Sequence, residues 1–337
     1  MTTHCAPPTS PSYYHFSDGK LTSSTANPAP MDLRAFAYGD GFFSTLGVVN
    51  GRILWRELHL ERLLVGVARF EFTFDCAAVM RTLDTLAAQT QEGMLKIIIA
   101  RNPQAVRGYG FIDGQACAWI KAVPAPLYAP DSVAWLNMAW ENLGEQNCAI
   151  PVQITNTKFT AQSADNLTTI CQNPPKHTQL DKHTPITTTN QAICLSEPVG
   201  LRTPRLAGVK LIGCAEQVFL HQTLLRQQQT TPNLAEGLVK NLAGEWVSGT
   251  SANVFYQLHS GKWHTPPTDR SGVDGTLRRL LLAQNKVSER TLFDDDLAHL
   301  TGLFFTNAVK GIVPIGTLIL ADNQGTITLP PLDLSWL

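Results

Sequence analysis

Four short stretches hold side chains whose types and spacing suit chemistry. Lys210 closes Leu206-Ala207-Gly208-Val209-Lys210. An apolar, small-residue approach can desolvate its amine, lowering the pKa and favouring an imine with a carbonyl compound. A lysine after a strand is also an ordinary solvated surface residue, so this stretch alone defines no site. In His59-Leu60-Glu61-Arg62-Leu63, Arg62 lies about one helical turn from His59. Its bidentate fork suits a phosphate, and the solvated face of an amphipathic helix suits it equally. Ser271-Gly272-Val273-Asp274-Gly275-Thr276 is a glycine-bearing loop that opens a helix. Free backbone N–H groups and the positive helix end attract anions there, and Thr276 adds a hydroxyl. The spacing matches neither the Walker A nor the dinucleotide fingerprint. Arg107-Gly108-Tyr109 lies in a polar loop between two apolar runs. Cation and phenol together suit a carboxylate, and a plain turn with a surface arginine is the alternative.

These side chains need elements to position them. Phe42 to Val49 is a run of strand formers, followed by Asn50-Gly51 and Arg52 to Trp55. Asn-Gly between two such runs predicts a hairpin, because both turn positions take positive φ. Leu60, Leu63, Leu64, Val67 and Phe70 then recur at helical spacing, which puts Arg62 on a helix. A second helix is expected over 77–91, and buried strands over 95–101 and 116–123. Together these make an N-terminal α+β domain, 1–125. Residues 126–191 read as a linker whose part from 156 onward is rich in Thr, Asn, Pro and Gln. That composition buries little and offers many competing side-chain-to-backbone bonds, so a flexible insertion is expected. Residues 192–337 form the second domain, with a helix over 215–227, a hairpin framed by 236–241 and 245–248, a strand over 253–258, a helix over 276–284 and a short strand over 303–306. The fold class is α/β (α+β) in two domains.

The chain has 337 residues, 44% hydrophobic and 16% charged, enough apolar material for two cores. A formal charge of -1 gives no electrostatic grip on nucleic acid or a membrane surface. No apolar run approaches the roughly 18 to 20 residues that span a bilayer. The first 27 residues are polar and carry no basic-then-apolar leader. The seven cysteines are scattered and lack a C-x-x-C pair, so neither a disulfide framework nor a metal site is expected. A cytoplasmic enzyme is the expectation.

Taken in order, the stretches resemble the fold-type IV pyridoxal 5′-phosphate (PLP) enzymes, a family that includes D-amino acid and branched-chain aminotransferases and aminodeoxychorismate lyases. The likeness rests on Tyr38-Gly39-Asp40-Gly41-Phe42-Phe43, His59 to Leu63, Arg107 to Tyr109, Leu206 to Val218, Gly249 to Phe255, and Gly272 to Arg278. Leu-Ala-Gly-Val-Lys, Glu216-Gln217-Val218 and Arg-Gly-Tyr point to the lyase branch. The resemblance implies two α/β domains with PLP between them, usually in a homodimer. It implies that Lys210 forms the Schiff base and moves the proton. Arg62 would hold the phosphate with Gly275 and Thr276, with a further contact from Thr306 and Asn307. Arg107 and Tyr109 would trap a substrate carboxylate, with Tyr38 beside them. The implied reaction converts 4-amino-4-deoxychorismate to 4-aminobenzoate and pyruvate in folate precursor synthesis.

The chain departs from the family pattern at two positions. Three residues after the lysine, where the family carries asparagine or a similar polar residue, stands Gly213. Five residues before the asparagine of the strand motif, the family's glutamate pairs with the pyridine nitrogen; the residue five before Asn253 is Ser248. Glu245 lies three residues further upstream and needs a shifted register to replace it. A neutral hydroxyl keeps the ring nitrogen protonated far less than a carboxylate does. Ser248 is therefore expected to make a poor aminotransferase and a tolerable lyase, because an elimination whose leaving group takes the electrons depends less on the ring. The alternatives are an aminotransferase acting on D- or branched-chain amino acids, and a homologue that has lost catalysis.

Overall fold

Asn50 and Gly51 turn the chain with φ of 50° and 71° in the computed structural model. The model describes residues 12–17, 19–24, 33–106, 108–125, 187–259, 261–321 and 325–333. The turn joins β3 (Gly41–Val49) to the short β4 (Arg52–Ile53) in the antiparallel register Val49↔Arg52. β3 is the inner strand of a six-stranded sheet that also holds β1 (Ser12–Ser17), β2 (Lys20–Ser24), β5 (Gly93–Arg101) and β6 (Ala116–Pro124). The order is β2-β1-β6-β5-β3-β4, antiparallel throughout.

Two helices cover this sheet. The periodicity around Arg62 becomes α2 (Arg56–Phe70), and the next pattern becomes α3 (Cys76–Thr90), capped where Asp75 Oδ1 accepts from Ala78 N at 2.8 Å. Leu63 and Val67 of α2 meet Val79, Met80 and Leu83 of α3 over Leu46, Leu95, Ile97 and Ile99 of the sheet. Each such buried side chain contributes roughly 1.5–3 kcal/mol. Leu64, counted in the helical pattern, instead faces outward.

The C-terminal half builds two five-stranded sheets. One is β12-β11-β10-β13-β14, comprising β10 (Asn253–Leu258), β11 (Trp263–Thr265), β12 (Ser288–Glu289), β13 (Leu300–Asn307) and β14 (Gly311–Pro314). The other is β16-β15-β7-β8-β9, comprising β7 (Gln191–Cys194), β8 (Leu234–Lys240), β9 (Trp246–Gly249), β15 (Thr317–Ile319) and β16 (Thr326–Thr328). They share a core in which Leu238 and Trp246 meet Val254, Tyr256, Leu303 and Phe305. Among the described residues this half holds three helices: α4 (Ala215–Gln228), α5 (Thr276–Ala283) and α6 (Asp294–Leu297). The mixed α/β class is the one expected from the sequence.

Several elements have no counterpart in the sequence reading. β1 and β2 lie in the polar N-terminal stretch and join the sheet because Tyr14 and Phe16 alternate onto its core. α1 (Arg34–Tyr38) has five residues, too few for a period to register. The strand expected over 303–306 runs over Leu300–Asn307, and three more strands follow it. Residues 126–186, nearly all of the expected linker and insertion, lie outside the described residues. Gln191, at the end of that stretch, already pairs with Leu234 in β7. No helix among the described residues is long and apolar enough to cross a membrane.

Candidate active site

Lys210 lies where the halves of the chain are stitched together. Phe43 N of β3 donates to Lys210 O at 2.9 Å, and Ile212 N donates to Gly41 O at 3.3 Å. On the other side, Asp274 N donates to Gly208 O at 2.8 Å, and Gly208 bridges Val273 in parallel. The lysine segment therefore runs between the N-terminal sheet and the loop that opens α5. Arg202 Nη1 ties the same two segments, donating to Val209 O at 2.9 Å and Gly272 O at 3.3 Å.

The Lys210 amine sits 4.8 Å over the Phe43 ring. Burial, with the Arg62 guanidinium nearby, brings its pKa down from 10.5 to about 8. About a tenth of the amine is thus the neutral nucleophile at pH 7, far more than for a solvated lysine. Lys96 approaches the same ring at 4.7 Å, but its segment is the middle of β5.

Arg62 reaches this point from α2. Its Nη2 donates to Asp274 O at 3.1 Å across 212 residues of sequence, and its Nη1 approaches Ser44 Oγ at 3.4 Å. Burial lowers its pKa to about 10, partly offset by Asp274, so it stays cationic. Behind it, His59 Nδ1 lies 2.9 Å from Ser44 Oγ. Burial and Arg62 hold His59 well below the ordinary histidine range, so it is neutral. Arg62, Lys210, Gly208, Asp274, Arg279 and Phe42 line one cleft.

The start of α5 completes the cationic side. No side chain caps its N-terminus at Gly275, so its first N–H groups project without a side-chain acceptor. Asn253 packs against Gly275 so closely that a Cβ would lie 1.8 Å from Asn253 Oδ1, which is why glycine stands there. Thr276 Oγ1 and Thr306 Oγ1 are buried without a hydrogen-bond partner. Thr306 is opposite Asn253 in the β10–β13 ladder, so both orphaned hydroxyls belong to this corner. Two unsatisfied buried hydroxyls, an uncapped helix start and a half-buried guanidinium fit a phosphate dianion. With a desolvated lysine in the same cleft, the residues fit PLP.

The remaining expected residues are placed less uniformly. Ser248 is half-buried in β9 opposite Val239, and its hydroxyl has no hydrogen-bond partner among the described residues. The β8–β9 ladder is irregular between Val239 and Lys240, and Glu245 stays in the turn beyond it. Glu245 accepts from Asn241 Nδ2 at 2.7 Å and pairs with Arg270 in the β8–β9 turn. Asn307 uses its side chain on backbone: Oδ1 accepts from Val309 N at 2.9 Å and Lys310 N at 2.6 Å, while Nδ2 donates to Ser251 O at 3.3 Å. Tyr38 closes α1, with its ring 5.3 Å from that of Tyr109, which is 85% exposed. Gly39 meets Gly213 at 3.4 Å from the position of a Cβ, so α1 adjoins the lysine segment. Arg107 lies outside the described residues.

Sequence reasoning missed a buried carboxylate beside this site. Glu236 of β8 accepts from Gly237 N at 3.0 Å, Thr250 N at 3.0 Å, Thr250 Oγ1 at 2.5 Å and Ser251 Oγ at 3.3 Å. It shapes the turn after Ser248, and its oxygens are fully engaged there. No local pattern marks an acid in an otherwise apolar strand as the organiser of a turn fourteen residues on.

Known proteins share this chain's family and fold. The family model for class IV amino-transferases matches residues 41–147 and 136–318. An aminodeoxychorismate lyase from Vibrio harveyi is 22% identical over 305 residues, covering 88% of this chain and 89% of that protein. The 4-amino-4-deoxychorismate lyase from Pseudomonas aeruginosa superposes with a TM-score of 0.65 at 23% identity, covering 95% of both chains. A hypothetical aminotransferase from Mycobacterium tuberculosis, in its PLP-bound form, superposes with a TM-score of 0.59 at 17% identity, covering 95% of this chain and 93% of that one. With most of its length matched by the family model, the chain belongs to the class IV amino-transferase family.

Proposed function

We propose that this chain is a PLP-dependent lyase converting 4-amino-4-deoxychorismate to 4-aminobenzoate and pyruvate in folate precursor synthesis. The observation that carries the reading is the desolvated Lys210 amine in one cleft with Arg62 and the uncapped start of α5. PLP, when bound, supplies a carbonyl carbon that captures amines and a ring that accepts electrons from the substrate's α-carbon. Arg62, Gly275, Thr276 and Thr306 would hold the phosphate. Asn307 adds backbone contact, its side chain being engaged in the turn. Lys210 would hold the aldehyde carbon, and its free Nζ would take the proton from the amine-bearing carbon of the substrate. Arg107 and Tyr109, with Tyr38, orient a substrate carboxylate by charge-assisted bonds.

Ser248 favours the lyase over an aminotransferase. Glu236 and Glu245 are both engaged elsewhere, which supports assigning the place opposite the ring nitrogen to Ser248, with a neutral hydroxyl. A transamination needs the ring to hold charge long enough for reprotonation, whereas departure of pyruvate and aromatisation of the product relieve that demand. The chain acts as a cytoplasmic homodimer with domains over 1–125 and 192–337.

The test is release of pyruvate and 4-aminobenzoate from enzymatically generated aminodeoxychorismate by wild type and Lys210→Ala. Activity in the wild type with a loss of about a thousandfold or more in the variant supports the reading. Rapid turnover of D-alanine or branched-chain amino acids by the wild type contradicts it and favours the aminotransferase.

A further inference from the structure

The described residues of the loop over 102–115, 102–106 and 108–115, include Tyr109 and present apolar side chains to solvent. Tyr109 is 85% exposed, Ile112 71% and Phe111 47%. Its backbone, by contrast, is held from beneath by two buried arginines. Arg34 donates from Nη2 to Tyr109 O at 3.0 Å and from Nη1 to Gly110 O at 2.9 Å. Arg101 donates from Nη1 to Asp113 O at 2.8 Å and from Nη2 to Phe70 O at 2.9 Å. Both turn their Nε to one acceptor: Asp40 Oδ2 lies 2.7 Å from Arg34 Nε and 3.0 Å from Arg101 Nε. Gln104 braces the loop from within, accepting from Ile112 N at 2.7 Å and donating to Asp113 Oδ1 at 2.7 Å.

A buried Arg–Asp–Arg cluster is costly to desolvate and adds little net stability by itself. Its yield here is geometric, because two planar forks leave each captured carbonyl a single direction. Asp40 is also two residues before Phe42 in the strand beside the Lys210 segment, with Arg101 N donating to Asp40 O at 3.3 Å. The Arg34 guanidinium lies 5.1 Å from the centroid of the Tyr38 ring, which in turn meets Tyr109. One carboxylate thus sets the height of the loop against the strand that supports the lysine.

We propose that Arg34, Asp40 and Arg101 form a latch that presets the 102–115 loop for the substrate carboxylate, acting as positioning residues without touching substrate. This rests on the reading above that Tyr109 and its loop meet the substrate. A preset loop has no ordering cost at binding, so loosening it weakens binding more than it slows chemistry.

Arg34→Lys keeps the charge but cannot span Asp40 and two carbonyls, and Asp40→Asn removes the shared anion. The experiment is hydrogen–deuterium exchange on the 102–115 amides, together with lyase kinetics, on PLP-loaded wild type and both variants. Where Asp40→Asn gives no folded protein, Arg34→Lys decides. The latch predicts faster exchange confined to this loop. It also predicts KM raised about tenfold, kcat within about twofold of wild type, and an unchanged bound-PLP absorption band. Unchanged exchange overturns the latch. Faster exchange with unmoved KM, or a loss confined to kcat, overturns its use in binding. A wild type that fixes PLP but makes no 4-aminobenzoate overturns the lyase reading instead, and the latch then stands or falls on exchange alone.

Discussion

At the scale of single residues, the site is defined by what burial does to two cations. Arg62 stays charged when desolvated and therefore serves as an anchor, whereas Lys210 at about 8 gives up its proton within reach of neutral pH. The amine attacks an aldehyde only when neutral. The rate of PLP loading onto apoprotein is thus predicted to rise with pH, pass half its maximum near pH 8 and level off about one unit above that. Stopped-flow absorbance checks this, and a rate still climbing toward the ordinary lysine value of 10.5 contradicts the assigned environment. The lysine, the arginine and the loop before Thr276 were legible in the sequence because each sits in a short stretch of distinctive composition. Asp40 was legible only as part of Tyr38 to Phe43. Its partners Arg34 and Arg101 lie 6 and 61 residues away, and nothing local announces that they converge.

At the scale of elements, regular periods revealed what short or polar segments concealed. α2 and α3 are each 15 residues long and expose their apolar spacing over several turns, whereas α1 spans five and leaves no period to read. β1 and β2 escaped because their alternation is brief and flanked by polar sequence. The β8–β9 hairpin itself was legible from its flanking apolar runs, whereas the irregularity between Val239 and Lys240, beside the Val239↔Ser248 pair, leaves no local mark in the sequence. The α3 cap offers a test at this scale that is separable from chemistry. Asp75→Ala removes the bond to Ala78 N and is predicted to cost about 1 kcal/mol. Urea denaturation measures the loss, and product release remains at the wild-type rate because no residue of α3 lines the Lys210 cleft. A drop in activity matching the drop in stability contradicts that independence.

At the scale of the whole molecule, the site belongs to no single sheet. α2 brings Arg62 from the N-terminal half, and α5 and β13 bring Thr276 and Thr306 from the C-terminal half. The lysine segment runs between β3 and the 272–274 loop. Such convergence across more than two hundred residues is beyond any local pattern, and only the order of the stretches carried it into the sequence reading. The central claim is that this convergence exists to hold PLP on Lys210. The most direct measurement is borohydride reduction of the PLP-loaded protein followed by peptide mapping. A phosphopyridoxyl group on Lys210 is the predicted result; an unlabelled protein, or a label on Lys96 across the Phe43 ring, contradicts the account.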